Sequence, residues 1–103
     1  MTMFEERERA FETKFALDQE LKFKVEARRN KLLGEWAAAK LDLSGSAVGE
    51  YIKELSRVQV TQGDNEVFRK LMHDFESKGV AVSAYELRKT SQDFRDWAAM
   101  DIA

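Results

Sequence analysis

An unbroken helical pattern runs through the first 43 residues, and the three helices legible after it are each about half as long. At roughly 1.5 Å per residue, a helix from Phe4 to Leu43 would extend about 60 Å, against roughly 22 Å for each partner, so something must overhang. The overhang falls on residues 1–20, MTMFEERERAFETKFALDQE, where a phenylalanine row (Phe4, Phe11 and Phe15) is combined with nine charged residues. Such a chain predicts an all-α fold: a four-helix bundle over residues 21–103 with a long first helix, and a mobile N-terminal arm over residues 1–20 suited to insertion into another protein.

Composition narrows the class. A chain of 103 residues has room for one domain with one modest core. It contains no proline, whose cost inside a helix is about 3 kcal/mol, so helices are the default reading throughout. With no cysteine there is neither a disulfide framework nor a thiolate metal site, in agreement with a reducing cytosol. A net charge of −2 and a pI near 5.5 give nothing that draws the whole chain to nucleic acid or anionic lipid. Apolar runs are short and broken by charge, well below the roughly 20 residues of a membrane span, so no direct membrane insertion is expected. Glu5 and Glu6 stand where a secretory signal would carry positive charge.

From Leu21 onward, apolar residues at Leu21, Val25, Leu32, Leu33, Trp36, Ala39 and Leu43 recur mostly three, four or seven apart, which predicts one inward face. The row of Phe4, Phe11 and Phe15 lies roughly 70° from it at about 100° per residue, as if the helix carried two faces for two partners. Ser44-Gly45-Ser46 breaks the helix and offers capping hydroxyls, and Val48, Ile52, Leu55 and Val58 predict a second helix to about Gln59. Thr61 to Asp64 reads as a turn, with Asp64 capping a third helix whose apolar face is Val67, Phe68, Leu71, Met72 and Phe75. Gly79 predicts a left-handed stop with Val80 as its apolar contact. Ser83 and Glu86 have capping-box spacing at the start of a fourth helix, with Leu87, Phe94, Trp97 and Ala98 inward. Trp36 and Trp97 each precede two alanines, and both are expected as large rings packed where helices approach closely.

Chemistry is sparse. The five glycines form no phosphate loop, His73 is the only histidine, and no serine has a nucleophile's partners in view. No enzyme activity, cofactor or metal is therefore expected. Residues 21–31 carry five basic groups and one acidic, whereas residues 1–20 carry six acidic and three basic. The cluster Arg28, Arg29 and Lys31 is read either as a solvated face, as a docking surface for an acidic protein, or as a phosphate site; nucleic acid is the weakest reading because the rest of the chain is acidic. The arm has its own alternative, in which the phenylalanines fold back into the core. Alone, about 17 residues would be marginally helical and should fray, and a partner groove would relieve the exposed aromatic row.

The stretch FEERERAFETKFALDQELKFKVEARRNKLLGEWAA, Phe4 to Ala38, closely resembles the N-terminal half of the zeta subunit of alphaproteobacterial F-type ATP synthases. The runs RERAFETKFA and ARRNKLLGEWAA are the distinctive parts, and similarity from Leu41 to Trp97 is looser with the same helix order. The resemblance implies a regulatory subunit that inhibits ATP hydrolysis by inserting its arm at an alpha/beta catalytic interface near gamma, while the bundle stays outside. The partners it implies are the alpha, beta and gamma subunits, and the location is cytoplasmic, peripheral on the inner membrane through the synthase. Carried over, the arm contacts are Phe4, Glu5, Glu6, Arg7, Arg9, Phe11, Lys14 and Phe15. Arg28, Arg29, Asn30 and Lys31 lie in the second run, as docking contacts or as plain bundle surface, and the phosphate reading of the same cluster would be weak adenine nucleotide binding. The competing reading is a small helical adaptor, or an adenine-nucleotide-sensing bundle, acting on another protein.

Overall fold

The structure, a computed structural model, describes the backbone of residues 3–102 and the side chains of residues 18–102. Four helices follow one another, α1 (Met3–Lys40), α2 (Ser46–Gln62), α3 (Asp64–Ser77) and α4 (Ala84–Ile102), with no strand among the described residues. At 38 residues α1 is about twice as long as its partners, which have 17, 14 and 19. The topology is up-down-up-down. Glu26 accepts from Gln59, Lys40 reaches Glu86 and Arg28 reaches Asp101, so α2 and α4 both run antiparallel to α1. The short connections demand this, because helices joined by a few residues have to lie side by side.

The helix ends follow local chemistry at some joints and not at others. At the end of α3, Gly79 takes φ 70° and the Val80 N–H donates to the Phe75 carbonyl at 2.8 Å, the left-handed stop its sequence predicts. Ser83 Oγ accepts from the Glu86 N–H at 3.0 Å and opens α4 as the capping-box spacing predicts. The predicted continuation of α1 to Leu43 is cut short: Asp42 takes φ 61°, and the Leu43 N–H turns back to the Ala38 carbonyl at 2.8 Å. Short polar side chains such as aspartate tolerate that conformation better than most, which lets a residue other than glycine close the helix. Neither serine beside Gly45 makes a capping bond to α2, and α2 runs on to Gln62, past the expected Gln59. Gly63 alone separates α2 from α3, at φ 91°, and Asp64 does not cap α3, because its carboxylate is engaged elsewhere.

The core gathers Leu33 and Ala37 of α1, Leu41 just after it, Leu55 and Val58 of α2, Val67, Leu71 and Phe75 of α3, and Leu87 of α4. Among the described side chains of α1 the buried positions are Arg29, Asn30, Leu33, Gly34, Ala37 and Ala38, continued by Leu41 in the turn that follows. This face lies roughly 130° around the helix from the predicted stripe, at about 100° per residue, so the roughly 70° offset drawn from that stripe does not measure the angle between arm and core. Of that stripe Leu33 is buried as expected, Leu21 and Ala39 are exposed, and Val25, Leu32, Trp36 and Leu43 are only half-buried. The small residues decide the rotation. A Cβ added at Gly34 would meet Ile52 Cγ1 at 2.6 Å and the Ile52 Cα at 3.2 Å, so α1 and α2 approach closely where glycine stands. Polarity alone could not have oriented a face that contains glycine, two alanines, an asparagine and an arginine.

The two tryptophans, alike in sequence, part company. Trp36 lies edge-on to Phe75 with ring centroids 5.7 Å apart and Lys40 over its face, whereas Trp97 is exposed, against the expectation that it points inward. Each ring takes the azimuth that its helix register gives it, and the register of α4 is set by Leu87, Ser91 and Ala98. Trp36→Ala should cost about 3 kcal/mol, read as a lower midpoint in thermal or urea melts, while Trp97→Ala should stay within about 0.5 kcal/mol of the parent. Gly34→Ala gains about 1 kcal/mol of helix propensity but should still destabilise, because overpacking at the α1–α2 contact costs about 1–3 kcal/mol. A double-mutant cycle with Ile52→Ala should return a smaller penalty for the same glycine change.

Candidate functional site

The arm contacts suggested by sequence, Phe4, Glu5, Glu6, Arg7, Arg9, Phe11, Lys14 and Phe15, have side chains that lie outside the described residues, as does the question of the arm's mobility. What is described is the root of the arm. Every side chain from Asp18 to Lys24 is exposed; Val25 and Glu26 are the first half-buried positions, and Arg29 the first fully buried one. Two turns of α1 are therefore exposed before the core begins, and they include the apolar Leu21 and Phe23.

The quartet Arg28, Arg29, Asn30 and Lys31 does not form one patch. Lys31 is exposed and Arg28 points outward to Asp101 at 3.5 Å, while Arg29 is 0 % exposed and Asn30 is buried beside it. Arg29 donates from Nη2 to Asp64 Oδ1 at 2.7 Å and from Nη1 to the Ser91 hydroxyl at 2.9 Å. Arg95 closes the group from α4, donating to Asp64 Oδ2 at 2.9 Å. One carboxylate thus holds two guanidinium groups, and α1, α3 and α4 are joined at a single point. Asp64, Ser91 and Arg95 were not singled out from sequence; Asp64 was read only as a helix cap. Their signal is indirect: Arg29-Asn30 interrupts the apolar spacing of α1 at a position the core face requires, and a buried arginine needs a carboxylate.

Burial by itself would raise the Asp64 carboxyl, but hydrogen bonds and charge from Arg29, then from Arg95, outweigh it and hold the carboxyl below the usual range. Elsewhere, burial and then the hydrogen bond to Asp74 push the Tyr51 phenol well above its ordinary value, its hydroxyl donating to Asp74 Oδ2 at 2.7 Å across the α2–α3 seam. His73 is exposed on α3, at the rim of an open groove to α4 floored by Phe68, Met72 and Leu87. Among the described residues there is no cluster of histidine and carboxylate able to hold a metal, and no helix long and apolar enough to cross a membrane.

A depressed carboxyl stabilises the fold fully above its unfolded value, near 3.9, and that stabilisation is lost as pH falls through the lower folded value. Acid melts should therefore lose stability below about pH 4 in the parent, and less steeply in Asp64→Asn. At neutral pH, Asp64→Ala should cost about 3 kcal/mol, because it strands the Arg29 charge in the interior, and Arg29→Met should cost less, because Asp64 keeps Arg95.

Comparison with known proteins places this geometry in a family. The sequence profile described as ATPase inhibitor subunit zeta matches residues 1–101, from the arm through the end of α4. A search of curated proteins returned no match. That family is one of inhibitory, regulatory subunits, which accords with a long helix leaving a small bundle. The match spans nearly the whole chain, and the protein belongs to the ATPase inhibitor subunit zeta family.

Proposed function

We propose that this protein inhibits ATP hydrolysis by the catalytic head of an F-type ATP synthase. In this reading the arm, residues 1–20, enters an alpha/beta catalytic interface near gamma, and the bundle, residues 21–103, remains outside. The observation that carries it is the root of the arm: α1 runs on from the bundle, and every described side chain ahead of Val25 is exposed. Family membership supplies the inhibitory role and a synthase as partner.

The mechanism needs no active site in this chain. A catalytic interface opens and closes during turnover, and a helix lodged in its open form raises the free energy of every state that has to close. Differential affinity for the two states is the whole of the inhibition. Phe4, Phe11 and Phe15 act as the aromatic anchors, because large rings in a desolvated groove carry much of the energy of such contacts. Glu5, Glu6, Arg7, Arg9 and Lys14 set register and orientation against the groove walls. The protein sits on the cytoplasmic side of the inner membrane through the synthase alone.

Phe11→Ala with Phe15→Ala in the full chain should abolish inhibition of ATP hydrolysis by the purified head while leaving the thermal midpoint of the bundle in place. Inhibition equal to the parent's would overturn this reading. A variant that melts at a much lower temperature would place the phenylalanines in the core instead.

A further inference from the structure

The exposed large apolar side chains are not scattered over the bundle. Among the described residues they are Leu21, Phe23, Val60, Tyr85, Trp97 and Met100, and all but Tyr85 lie toward the end from which the arm leaves. The antiparallel pairings fix this, since Gln59 meets Glu26 and Asp101 meets Arg28. Val60 lies on α2, whereas Trp97 borders the seam between α1 and α4, Met100 lies one turn on toward the outer face of α4, and Leu21 continues the α1 side of the seam beyond the end of α4. On α1, Leu21, Val25, Arg28 and Leu32 recur at intervals of four, three and four and so share a face. On α4, Phe94, Trp97 and Asp101 recur at three and four. The Arg28–Asp101 pair joins the two rows.

The seam is left half open. Val25 and Leu32 are half-buried and Leu21 is 43 % exposed, while Trp97 and Met100 are 62 % and 75 % exposed. Two acidic side chains, Asp93 and Asp96, border the aromatic ring on α4. Much of the stripe that the sequence of α1 presents as core is therefore an apolar edge that the protein's own helices do not cover.

We infer that this α1–α4 seam is a second docking strip for the partner that receives the arm, seated on the lip of its cleft. The inference rests on the arm reading above and adds a role for the bundle. Its occupant follows from continuity of one helix: Leu21 is only about 9 Å beyond Phe15 at 1.5 Å per residue, so whatever grips the arm has its rim beside Leu21 and Val25. The partner surface is apolar opposite Leu21 and Trp97 and basic opposite Asp96, Asp93 being paired with Lys89. Covering exposed apolar surface of this kind is favourable in proportion to the area removed from water.

The experiment compares full-chain Trp97→Ala/Met100→Ala with the parent and with the Phe11→Ala/Phe15→Ala arm variant, using the purified catalytic head. Binding is read by interferometry and inhibition by ATP hydrolysis. The seam variant should melt like the parent, still reach full inhibition at saturation, and need at least tenfold more protein for half-inhibition, with a matching rise in Kd. An unchanged Kd and half-inhibition point would overturn the seam. A weakened seam variant beside an unaffected arm variant would retain the seam as a contact and remove the arm reading. If the parent sediments as a dimer that the seam variant dissociates, and Kd for the head is unchanged, the seam belongs to a second copy and the inference fails.

Discussion

A single buried guanidinium organises this bundle. Arg29 has no exposure to solvent, and taking its charge out of water costs several kcal/mol unless a carboxylate and further hydrogen bonds stand ready. Asp64 and Ser91 meet that demand from α3 and α4, so the register of three helices is tied to one side chain of α1. Apolar packing is forgiving of small shifts, whereas a buried ion pair at 2.7 Å is not. A slip of one turn in any of the three helices would strand the charge. Arg95, held by the same carboxylate, carries the constraint outward to the half-exposed edge of α4.

The same residue marks where the bundle begins. Among the described side chains ahead of Arg29 only Val25 and Glu26 are even half-buried, and the helix then leaves the core. Because α1 is continuous, its position in the bundle also sets the direction and azimuth in which it departs. Rigidity at the Arg29–Asp64 joint and the presentation of the arm are therefore one property. The acid-sensitive carboxylate that secures the joint is remote in sequence from the segment it orients, 35 positions from Arg29.

Packing on the two sides of α1 differs in kind. Toward α2 the contact is close and depends on Gly34 facing Ile52, where there is no space for even a methyl group without movement. Toward α4 it is polar at depth and open at its outer edge, with Arg28 and Asp101 bridging the surface. The α4 side packs more extensively than the α2 side yet leaves apolar surface at its outer edge, and that surface lies toward the end where the arm departs.

Sequence by itself determined the elements whose causes are local. The left-handed stop at Gly79 with Val80 behind it and the capping serine at Ser83 depend on residues within about a turn and a half of each other, and the unbroken helical pattern made α1 the longest element, though not its end at Lys40. Family membership was legible too, because the runs RERAFETKFA and ARRNKLLGEWAA sit in a segment the matching profile covers. Only the tertiary structure decided which face of α1 is inward. Hydrophobic spacing selected Leu21, Val25 and Leu32, yet the buried face is built from Gly34, Ala37 and Ala38 for close approach and from Arg29 for ion pairing, with Asn30 buried beside it and its Oδ1 without a partner. Trp36 and Trp97 make the point most sharply. Both open the same Trp-Ala-Ala triplet, and one packs on Phe75 while the other faces water. A ring's environment is set by the azimuth of its helix against neighbours tens of residues away, and no local pattern encodes that.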